Sequence, residues 1–288
     1  MHFEEGKKLS ELTTFGLGGP AKFFIAVSTI EHLQEVIRYA TQNNIPFFPL
    51  GKGSNVLFDD RGFHGIVILN KISFCEENAG EFYVGAGYSF SLLGTQTARK
   101  GWAGLEFASG IPGSVGGAIY MNAGANGGEA FQTLKEVTFV NEEGALETLT
   151  KDKLSWGYRF SSFHHKKGVI VSAKFQLTPC KEARGKQLNI IDYRTKTQPY
   201  GEMSAGCIFR NPPQNSAGRL IEESGLKACE KGGAKVSPLH ANFIVNTGAA
   251  TTQDVIALAS HIQNTVKEKT GIKLEMEVKV IPYQTEIS

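Results

Sequence analysis

The sequence predicts an α+β protein of several subdomains, and three observations support this class. The chain has 288 residues, which is too long for one small core. Strand and helix patterns alternate in about the first 70 residues and again after residue 180, whereas strand patterns dominate between them. Glycine accounts for 33 residues, well above the usual roughly 7%, and is concentrated between residues 101 and 128. We therefore predict subdomains at 1–70, 71–179 and 180–288.

The composition favours a folded protein without nucleic-acid or membrane partners. Hydrophobic residues make up 41% of the chain and charged residues 20%, which is enough for a core. A net charge of +2 gives no global attraction for polyanions, so an anionic ligand needs local donors. The N-terminus lacks a basic segment followed by an apolar one, and no apolar run approaches the roughly 18 residues that span a bilayer. We expect a cytoplasmic location.

Four scattered cysteines argue against a metal centre and against disulfides. They form no CxxC pair and have no neighbouring histidine pattern, so we predict no metal site. In a reducing compartment we expect thiols that mostly serve packing. The four are Cys75, Cys180, Cys207 and Cys229.

The first subdomain begins with a predicted strand at 21–27 and a helix. Ser28 and Glu31 have the spacing of a capping box at the start of that helix. Further strands are predicted at 46–50 and 65–69. The helix is predicted from apolar residues at helical spacing, namely Ile30, Leu33, Val36, Ile37 and Ala40.

The second subdomain is predicted to be mostly strand, with one helical stretch near 89–100. Its strands are predicted at 81–86, 134–140, 145–150 and 169–177. The segment 179–182 is the best later boundary. Beyond it we predict, in order, a polar helical stretch, a short strand at 207–209, a helix at 217–223, a strand at 241–246, a long amphipathic helix beginning near Thr251 and Asp254, and a final strand at 273–281.

A glycine turn with the sequence GKGSN follows the strand at 46–50. Its two glycines allow consecutive N–H groups to converge on a phosphate, and Ser54 and Asn55 add side-chain donors. The turn matches neither GxGxxG nor the Walker A motif. By itself it is as compatible with a plain surface turn as with a phosphate site.

A second glycine-rich loop, GIPGSVGGA at 110–118, is more unusual. Pro112 stiffens it, and the glycines remove side chains where another group must approach closely. The sequence NAGA at 122–125 repeats this preference for small residues. A pair of tight turns at a domain boundary is the alternative. Together with the GKGSN turn, the two loops favour a large flat cofactor with a pyrophosphate.

These motifs resemble those of the UDP-N-acetylenolpyruvoylglucosamine reductases. The similarity extends in order from about residue 13 to residue 281, and the length resembles the shorter class of that family. The matching segments are 13–21, 51–55, 110–118, 122–125, YRFSSF at 158–163, SAGCIFRNP at 204–212, 232–237, 240–246 and 274–278.

The resemblance implies a two-subdomain FAD-binding unit of the vanillyl-alcohol-oxidase or PCMH-like type, plus a C-terminal α/β substrate domain. It implies noncovalent FAD, NADPH as co-substrate, and reduction of UDP-N-acetylglucosamine enolpyruvate to UDP-N-acetylmuramate. We expect a monomer. The cofactor-binding residues implied are Gly51, Lys52, Gly53, Ser54, Asn55, Gly113, Ser114, Gly116, Gly117, Asn122 and Gly124.

The resemblance also assigns catalytic roles that the chemistry explains. Hydride addition to an enolpyruvyl group builds negative charge beside an existing carboxylate, so fixed positive charge and a proton source are required. Arg159 matches the position that neutralises this charge, and a guanidinium suits a carboxylate. Glu277 matches the acidic residue that assists in polarising the group. On its own, Glu277 would be read as a solvated strand residue like Glu275.

Cys207 departs from the commoner pattern, because many relatives have serine as the proton donor at this position. A thiol has a reference pKa of about 8.5, so it is mostly protonated at neutral pH and ionises more easily than an alcohol. It can therefore act as the general acid, and it is also open to alkylation and oxidation.

The remaining candidates concern binding. Tyr158, Arg210 and Asn211 match substrate-binding positions, although lysine is commoner than Arg210 and a surface charge is the alternative reading. We read His164 and His165 as part of a solvated basic loop, with a position near the phosphate of the nicotinamide cofactor as the alternative. His240, which lies in the segment 240–246, is read as structural.

Two competing functions remain open from the sequence. One is a sugar or alcohol oxidase with the same flavin fold; many of these tether FAD through a histidine beside the first glycine turn, and GKGSN contains none. The other is a nucleotide-binding module without catalysis. The joint presence of Arg159, Cys207 and Glu277 argues against it, because a binding module needs no proton donor.

Overall fold

The computed structural model describes residues 1–283, in which short strands alternate with seven α-helices. The helices are α1 (Ile30–Gln42), α2 (Phe90–Arg99), α3 (Val115–Tyr120), α4 (Ala130–Thr133), α5 (Ala183–Thr197), α6 (Ala217–Glu223) and α7 (Thr252–Thr270). The strands are β1 (Glu4–Lys8), β2 (Pro20–Val27), β3 (Phe47–Leu50), β4 (Val56–Phe58), β5 (Phe63–Asn70), β6 (Cys75–Asn78), β7 (Glu81–Gly85), β8 (Trp102–Ala103), β9 (Gly124–Ala125), β10 (Gly128–Glu129), β11 (Leu134–Asn141), β12 (Leu146–Thr150), β13 (Trp156–Gly157), β14 (Phe160–Ser161), β15 (Gly168–Gln176), β16 (Thr178–Pro179), β17 (Met203–Cys207), β18 (Glu230–Lys231), β19 (Ala234–Val236), β20 (Phe243–Asn246) and β21 (Lys279–Ile281).

The chain forms two compact units, each built from separate segments. Unit 1 consists of residues 1–4, 24–52 and 65–194, and unit 2 of residues 5–23, 53–64 and 195 onward. The division into subdomains at 1–70, 71–179 and 180–288 stays a prediction, and residues 284–288 of its last member lie outside the described part of the chain. No helix among residues 1–283 is long and apolar enough to cross a membrane.

Unit 1 contains a five-stranded antiparallel sheet of order β12-β11-β15-β7-β6. Its central strand β15 reads GVIVSAKFQ and is buried except at its two ends and at Lys174. Helices α2 and α3 contribute to the same core. The large buried residues of this core are Phe82, Phe90, Phe107, Phe131, Phe139, Phe163 and Phe175.

Unit 2 contains a four-stranded antiparallel sheet of order β17-β20-β19-β18. A separate parallel pair joins β21 to β4. Helix α7 buries one apolar face and is capped as predicted: Thr251 accepts a hydrogen bond from the Asp254 amide, and the Asp254 carboxylate accepts one in return from the Thr251 amide. The core of this unit includes Phe15, Leu57, Phe209, Ile221, Ile244, Leu258, Ile262 and Leu274.

A further sheet has the order β1-β2-β5-β3, in which β3 and β5 are parallel. The predicted strands at 21–27, 46–50 and 65–69 are confirmed as β2, β3 and β5. The predicted capping box of Ser28 and Glu31 on α1 is wrong, because the N-cap is the next residue along the chain. Thr29 is the N-cap, with extended backbone angles of φ −128° and ψ 158°, and its side chain accepts from the His32 amide at 3.2 Å.

Two strand predictions in unit 2 need correction. The predicted strand at 207–209 is instead the end of β17, which stops at Cys207. The predicted strand at 273–281 is a true strand only over Lys279–Ile281, where it pairs with β4. The residues between these ends pair with each other, through an isolated antiparallel bridge between Phe209 and Met276. Both predictions differ from the structure because residues 208–210 pair with residues 275–277. This pairing joins two segments that carry candidate site residues.

Candidate active site

The first half of the GKGSN turn meets the GIPGSVGGA loop within unit 1. Gly51 packs so closely on Ser114 that a Cβ at residue 51 would overlap the Ser114 hydroxyl. Lys52 donates from Nζ to Ser89 Oγ at 2.9 Å. Ser89 and Ser114 also form an isolated antiparallel bridge. An ammonium group and two hydroxyls therefore lie together.

Both serines are helix N-caps, which explains why the chain brings them here. Ser89 Oγ accepts from the Leu92 amide at 3.4 Å at the start of α2, and Ser114 Oγ accepts from the Gly117 amide at 3.3 Å at the start of α3. Backbone N–H groups at such ends carry partial positive charge. Combined with the Lys52 ammonium, this donor set suits a phosphate or pyrophosphate.

The glycines of the second loop have different physical roles. Gly116 donates its amide to Ala86 O at 2.8 Å, and a Cβ there would lie 3.0 Å from the Ala86 Cβ. Gly113 accepts from the Phe90 amide at 3.0 Å, which joins the loop to α2. Gly117 is exposed, and a Cβ there would meet only Ser114 Oγ at 3.4 Å. Gly113 and Gly116 therefore pack the loop, whereas Gly117 leaves its surface open.

The NAGA segment contacts the turn that carries Arg159, also within unit 1. Asn122 is fully buried and has a left-handed backbone, with φ 41°. Its side-chain amide donates to Gly157 O at 2.9 Å and to Glu129 Oε2 at 3.1 Å. Arg159 donates from Nη2 to Gly124 O at 2.9 Å. Asn122 and Gly124 therefore contact the β13–β14 turn directly.

Tyr158 and Arg159 form the tip of that turn. Tyr158 is 49% exposed, and the Arg159 guanidinium carbon lies 5.0 Å from the centroid of its ring. Arg159 has φ 54°, a left-handed conformation that a non-glycine side chain rarely adopts. An exposed aromatic ring and a permanently charged guanidinium thus lie side by side on a tight hairpin.

Cys207 and Glu277 are brought close along the backbone within unit 2. The Glu277 amide donates to Ile208 O at 2.8 Å, and the Arg210 amide donates to Glu275 O at 2.9 Å. The segment after Cys207 therefore runs beside the segment that ends at Glu277. Cys207 and Glu277 are both half-buried, while Glu275 is exposed.

A bulge places Cys207 at the end of β17. The register of β17 against β20 shifts between Ser204 and Cys207, and the intervening Gly206 has φ 75°. Bulges of this kind redirect side chains and recur beside functional sites. The Cys207 backbone then pairs with Phe243 of β20.

The second half of the GKGSN turn joins this site. Gly53 has φ 62° and packs on the Leu12 carbonyl, where a Cβ would overlap. Asn55 Nδ2 donates to Glu277 O at 3.3 Å, and Asn55 O accepts from the Lys279 amide at 3.1 Å. Ser54, which is half-buried, lies between Gly53 and Asn55. The predicted residues of this half-turn are thus tied to the strand that follows Glu277.

Thr14, from the matching segment 13–21, connects two of these segments. Its amide donates to Gly53 O at 3.1 Å, and its hydroxyl donates to Ser204 O at 2.7 Å. Asn211, a predicted substrate residue, accepts through Oδ1 from the Ala217 amide at 2.9 Å at the start of α6. Asn211 is exposed and the adjacent Arg210 is half-buried.

Asn242, which is 2% exposed, is not among the residues predicted from the sequence. Its side chain donates to Phe209 O at 2.8 Å and accepts from the Phe209 amide at 3.0 Å. Because β17 has ended at Cys207, the Asn242 side chain supplies the hydrogen bonds that a neighbouring strand would otherwise make to the Phe209 backbone. A buried asparagine between apolar strand residues was the available signal, because such a residue requires partners.

The three histidines singled out in the sequence make contacts with nearby groups. Burial lowers the pKa of His240, and its Nδ1 accepts from the Asn242 amide at 3.2 Å, which favours a neutral ring. His164 lies 4.4 Å from the Tyr120 ring, centroid to centroid, and His165 is exposed. Among residues 1–283 no cluster of His, Cys, Asp and Glu could hold a metal ion.

The candidate residues divide between the two units. Unit 1 holds Gly51, Lys52, Gly113, Ser114, Gly116, Gly117, Asn122, Gly124, Tyr158 and Arg159. Unit 2 holds Gly53, Ser54, Asn55, Cys207, Arg210, Asn211 and Glu277. Their roles in binding and catalysis stay predictions at this point.

Comparisons with known proteins bear on both units. Residues 198–281 match the model described as "UDP-N-acetylenolpyruvoylglucosamine reductase, C-terminal domain", and residues 21–150 match "FAD binding domain". A relative named UDP-N-acetylenolpyruvoylglucosamine reductase from Protochlamydia amoebophila is 61% identical, over 96% of this chain and 92% of its own. One of the same name from Chlamydia pneumoniae is 49% identical, over 97% and 92%. The crystal structure of the enzyme so named from Thermus caldophilus is 36% identical, with a TM-score of 0.84 over 98% of this chain and 100% of that one.

Proposed function

This chain belongs to the UDP-N-acetylenolpyruvoylglucosamine reductase family, and we propose that it reduces UDP-N-acetylglucosamine enolpyruvate to UDP-N-acetylmuramate with NADPH and noncovalent FAD. The family membership confirms the predicted resemblance, and the matches also confirm the α+β class with its FAD-binding type. The chain is therefore an oxidoreductase of peptidoglycan precursor synthesis with an FAD-binding domain. The reductant, the proton donor and the residue roles are the parts that we propose.

The residues present fit a flavin dinucleotide. The Lys52 ammonium, the Ser89 and Ser114 hydroxyls and the N-terminal ends of α2 and α3 form a donor set suited to a pyrophosphate. Gly117 leaves the loop surface open beside Ser114. When bound, FAD supplies hydride transfer from NADPH to the enolpyruvyl double bond. We propose that Gly51–Lys52, Gly53–Asn55, Gly113–Gly117 and Asn122–Gly124 hold it.

Arg159 is proposed to stabilise the charge that forms on the substrate. Hydride addition to the enolpyruvyl group leaves an enolate beside a carboxylate, and a guanidinium can hold both anions through paired N–H donors. The turn conformation and the bond to Gly124 O fix this group before the substrate arrives. Preorganised charge of this kind costs no reorganisation during the reaction. Tyr158, beside it, is proposed to contact the substrate.

Cys207 is proposed to complete the reduction by proton transfer. The enolate must gain one proton, and the Sγ–H of Cys207 supplies it, after which the thiolate is reprotonated from solvent. Glu277 is proposed to polarise the reacting group. Arg210 and Asn211, which continue the chain after Phe209, are proposed to bind the substrate diphosphate.

The backbone pairing beside Cys207 gives this proposal its strongest support. Pairing of the Glu277 amide with Ile208 O, and of the Arg210 amide with Glu275 O, puts the proposed proton donor, diphosphate residues and acid on two adjacent segments. A nucleotide-binding module would need only the diphosphate contacts.

Flavin content and its reduction test the proposal. Purified protein should absorb in the flavin bands, release FAD on acid precipitation and bleach anaerobically with NADPH, with NADH weaker. Lys52→Ala should weaken FAD binding, whereas Lys181→Ala, a change at an exposed lysine, should not. A colourless protein that binds no FAD on titration contradicts the proposal. A flavin that stays with the acid precipitate indicates instead the covalent attachment seen in many oxidases.

A further inference from the structure

The turn that carries Arg159 is attached at three points to the chain segment 120–124. Gly157 O accepts from Asn122 Nδ2 at 2.9 Å, Arg159 Nη2 donates to Gly124 O at 2.9 Å, and Ser161 Oγ donates to Tyr120 O at 2.7 Å. These bonds involve the residue before the tip, the tip itself and the second residue after it. We propose that the buried Asn122 side chain is a positioning residue, which sets the Arg159 guanidinium for the reductase reaction. This inference rests on the proposed function.

The hydrogen-bonding pattern of Asn122 supports a positioning role. Both amide hydrogens are used, one by Gly157 O and one by Glu129 Oε2, and Oδ1 accepts from the Phe131 amide at 3.1 Å. The side chain is 0% exposed. Because both N–H donors of Asn122 are already used and its side chain has no exposed surface, it can act on the reaction only through the residues that it contacts. Asn122 therefore links the start of α4, through Phe131, to the β13–β14 turn.

The backbone conformations at the two ends of this link agree with it. Asn122 and Arg159 are both left-handed, at φ 41° and φ 54°. Asparagine tolerates this region, whereas an arginine there persists only where its surroundings hold it. The three hydrogen bonds to the segment 120–124 are part of the surroundings that hold it. Such conformations concentrate at functional sites.

Glu129 makes the amide of Asn122 hard to replace. Its carboxylate accepts from Asn122, and it also takes part in the capping box with Gln132 at the start of α4. An aspartate at position 122 would face this carboxylate with like charge and would have no donor for Gly157 O. The neutral amide is therefore the group that satisfies the acid on one side and the turn carbonyl on the other.

The test is a double-mutant cycle with a conformational readout. Asn122→Gly keeps the left-handed backbone and removes only the side chain. Asn126→Gly is the matched control, because Asn126 is also left-handed, at φ 51°, and lies exposed in the same loop. Should Asn122→Gly fail to fold, Asn122→Ser takes its place, because it shortens the side chain without adding charge beside Glu129. Each change is made in the wild-type chain and with Arg159→Lys.

We expect Asn122→Gly to slow reoxidation of the reduced flavin by the enolpyruvyl substrate about tenfold or more, because small misplacements of a catalytic group are costly. Reduction by NADPH should be slowed much less than this reoxidation, and the FAD content of each variant is measured alongside, because Asn122 also lies in the segment proposed to hold FAD. The effect should largely vanish in the Arg159→Lys background, since groups that act as a unit are non-additive. Equal slowing in both backgrounds would reduce Asn122 to a structural residue and overturn the inference.

Hydrogen–deuterium exchange of the segment 156–161 separates this inference from the proposed function. Exchange there should rise in Asn122→Gly and not in Asn126→Gly, whether or not the chain turns over the proposed substrate. An unchanged exchange rate overturns the positioning role. If the wild type shows no reductase activity but exchange rises, the positioning of the turn stands and the proposed function fails.

Discussion

At the residue scale, Arg159 is the group on which the proposed chemistry depends most. It lies at the tip of a two-residue turn, beside an exposed tyrosine and bonded to Gly124 O. Only the half-reaction with the enolpyruvyl substrate builds an enolate, so only that step needs the guanidinium.

We predict that Arg159→Ala slows that half-reaction by about 10²–10³, the usual effect of removing one fixed donor. Flavin reduction by NADPH should change little, and Arg99→Ala, at an exposed arginine of α2, should leave both steps unchanged. Rapid mixing measures the two steps separately. Equal slowing of both would point to a general structural fault.

Cys207 is the proposed proton donor, a thiol at a position where the resemblance implies serine in many members of the family. If its thiol is the proton donor, Cys207→Ser should keep appreciable activity, while Cys207→Ala should slow the transfer to substrate by about 10²–10⁴. Thiol alkylation should reproduce the alanine effect and be slowed by bound substrate. Cys229→Ala, at another half-buried cysteine, is the control. An alanine variant that reoxidises at the wild-type rate would make Cys207 a packing residue.

How far single residues could be predicted depended on the resemblance. Arg159, Cys207 and Glu277 are ordinary residues in isolation, and only the ordered set of motifs singled them out. Asn242 and Ser89 were missed because their partners are distant in sequence: Asn242 contacts Phe209, and Ser89 contacts Lys52. A single sequence carries no direct signal for such pairs.

At the element scale, the junction between β17 and the Glu275–Glu277 segment depends on Asn242. We predict that Asn242→Ala lowers the free energy of unfolding by about 2–4 kcal/mol, because it leaves the buried N–H and C=O of Phe209 without this partner. Urea unfolding followed by circular dichroism measures this, with exposed Asn264→Ala on α7 as the control, expected within about 0.5 kcal/mol of the wild type. A loss as small as that of the control would show that the junction does not need the side chain.

The end of β4 offers a test of pH dependence. Asp59 accepts two bonds from the Arg61 guanidinium, at 2.9 Å each, and this lowers its pKa to about 2. Folding therefore favours the ionised form, and the stabilisation is present above about pH 4, the ordinary range for aspartate, and is lost as the pH falls toward 2. Since Arg61 is exposed and Asp59 only half-buried, solvent screens the pair and its contribution to stability is small.

Asp59→Asn should accordingly be slightly less stable than the wild type at pH 7, and the difference should shrink between pH 4 and pH 3. Urea midpoints at these pH values measure it. A difference that stays constant down to pH 3 would mean that Asp59 does not ionise with the predicted dependence.

Elements with a strong local signal were predicted well, and those defined by distant pairing were not. Helices α6 and α7 have clear apolar spacing and local caps, so α6 was predicted at 217–223 and α7 from its cap at Thr251. The segment 273–281 has the composition of one strand, yet its first part pairs with 208–210 and its last part with β4. Composition cannot reveal that a run changes partners.

At the scale of the whole molecule, the fold class and the family could be predicted from the sequence, whereas the interleaving of the two compact units could not. The α+β prediction is confirmed. The units interleave, however: residues 53–64 belong with the C-terminal segment, while 24–52 belong with 65–194. The GKGSN turn spans that division, with Gly51 and Lys52 in one unit and Asn55 in the other. Interleaving follows from contacts between distant segments, which periodicity does not encode.

The most direct test of the central claim is a single anaerobic turnover. The protein is reduced with one equivalent of NADPH, excess nucleotide is removed, and UDP-N-acetylglucosamine enolpyruvate is added while flavin absorbance is recorded. We predict that the flavin absorbance returns and that one equivalent of UDP-N-acetylmuramate forms for each flavin reoxidised. Reduced flavin that stays bleached with this substrate, yet reoxidises readily with oxygen, would contradict it.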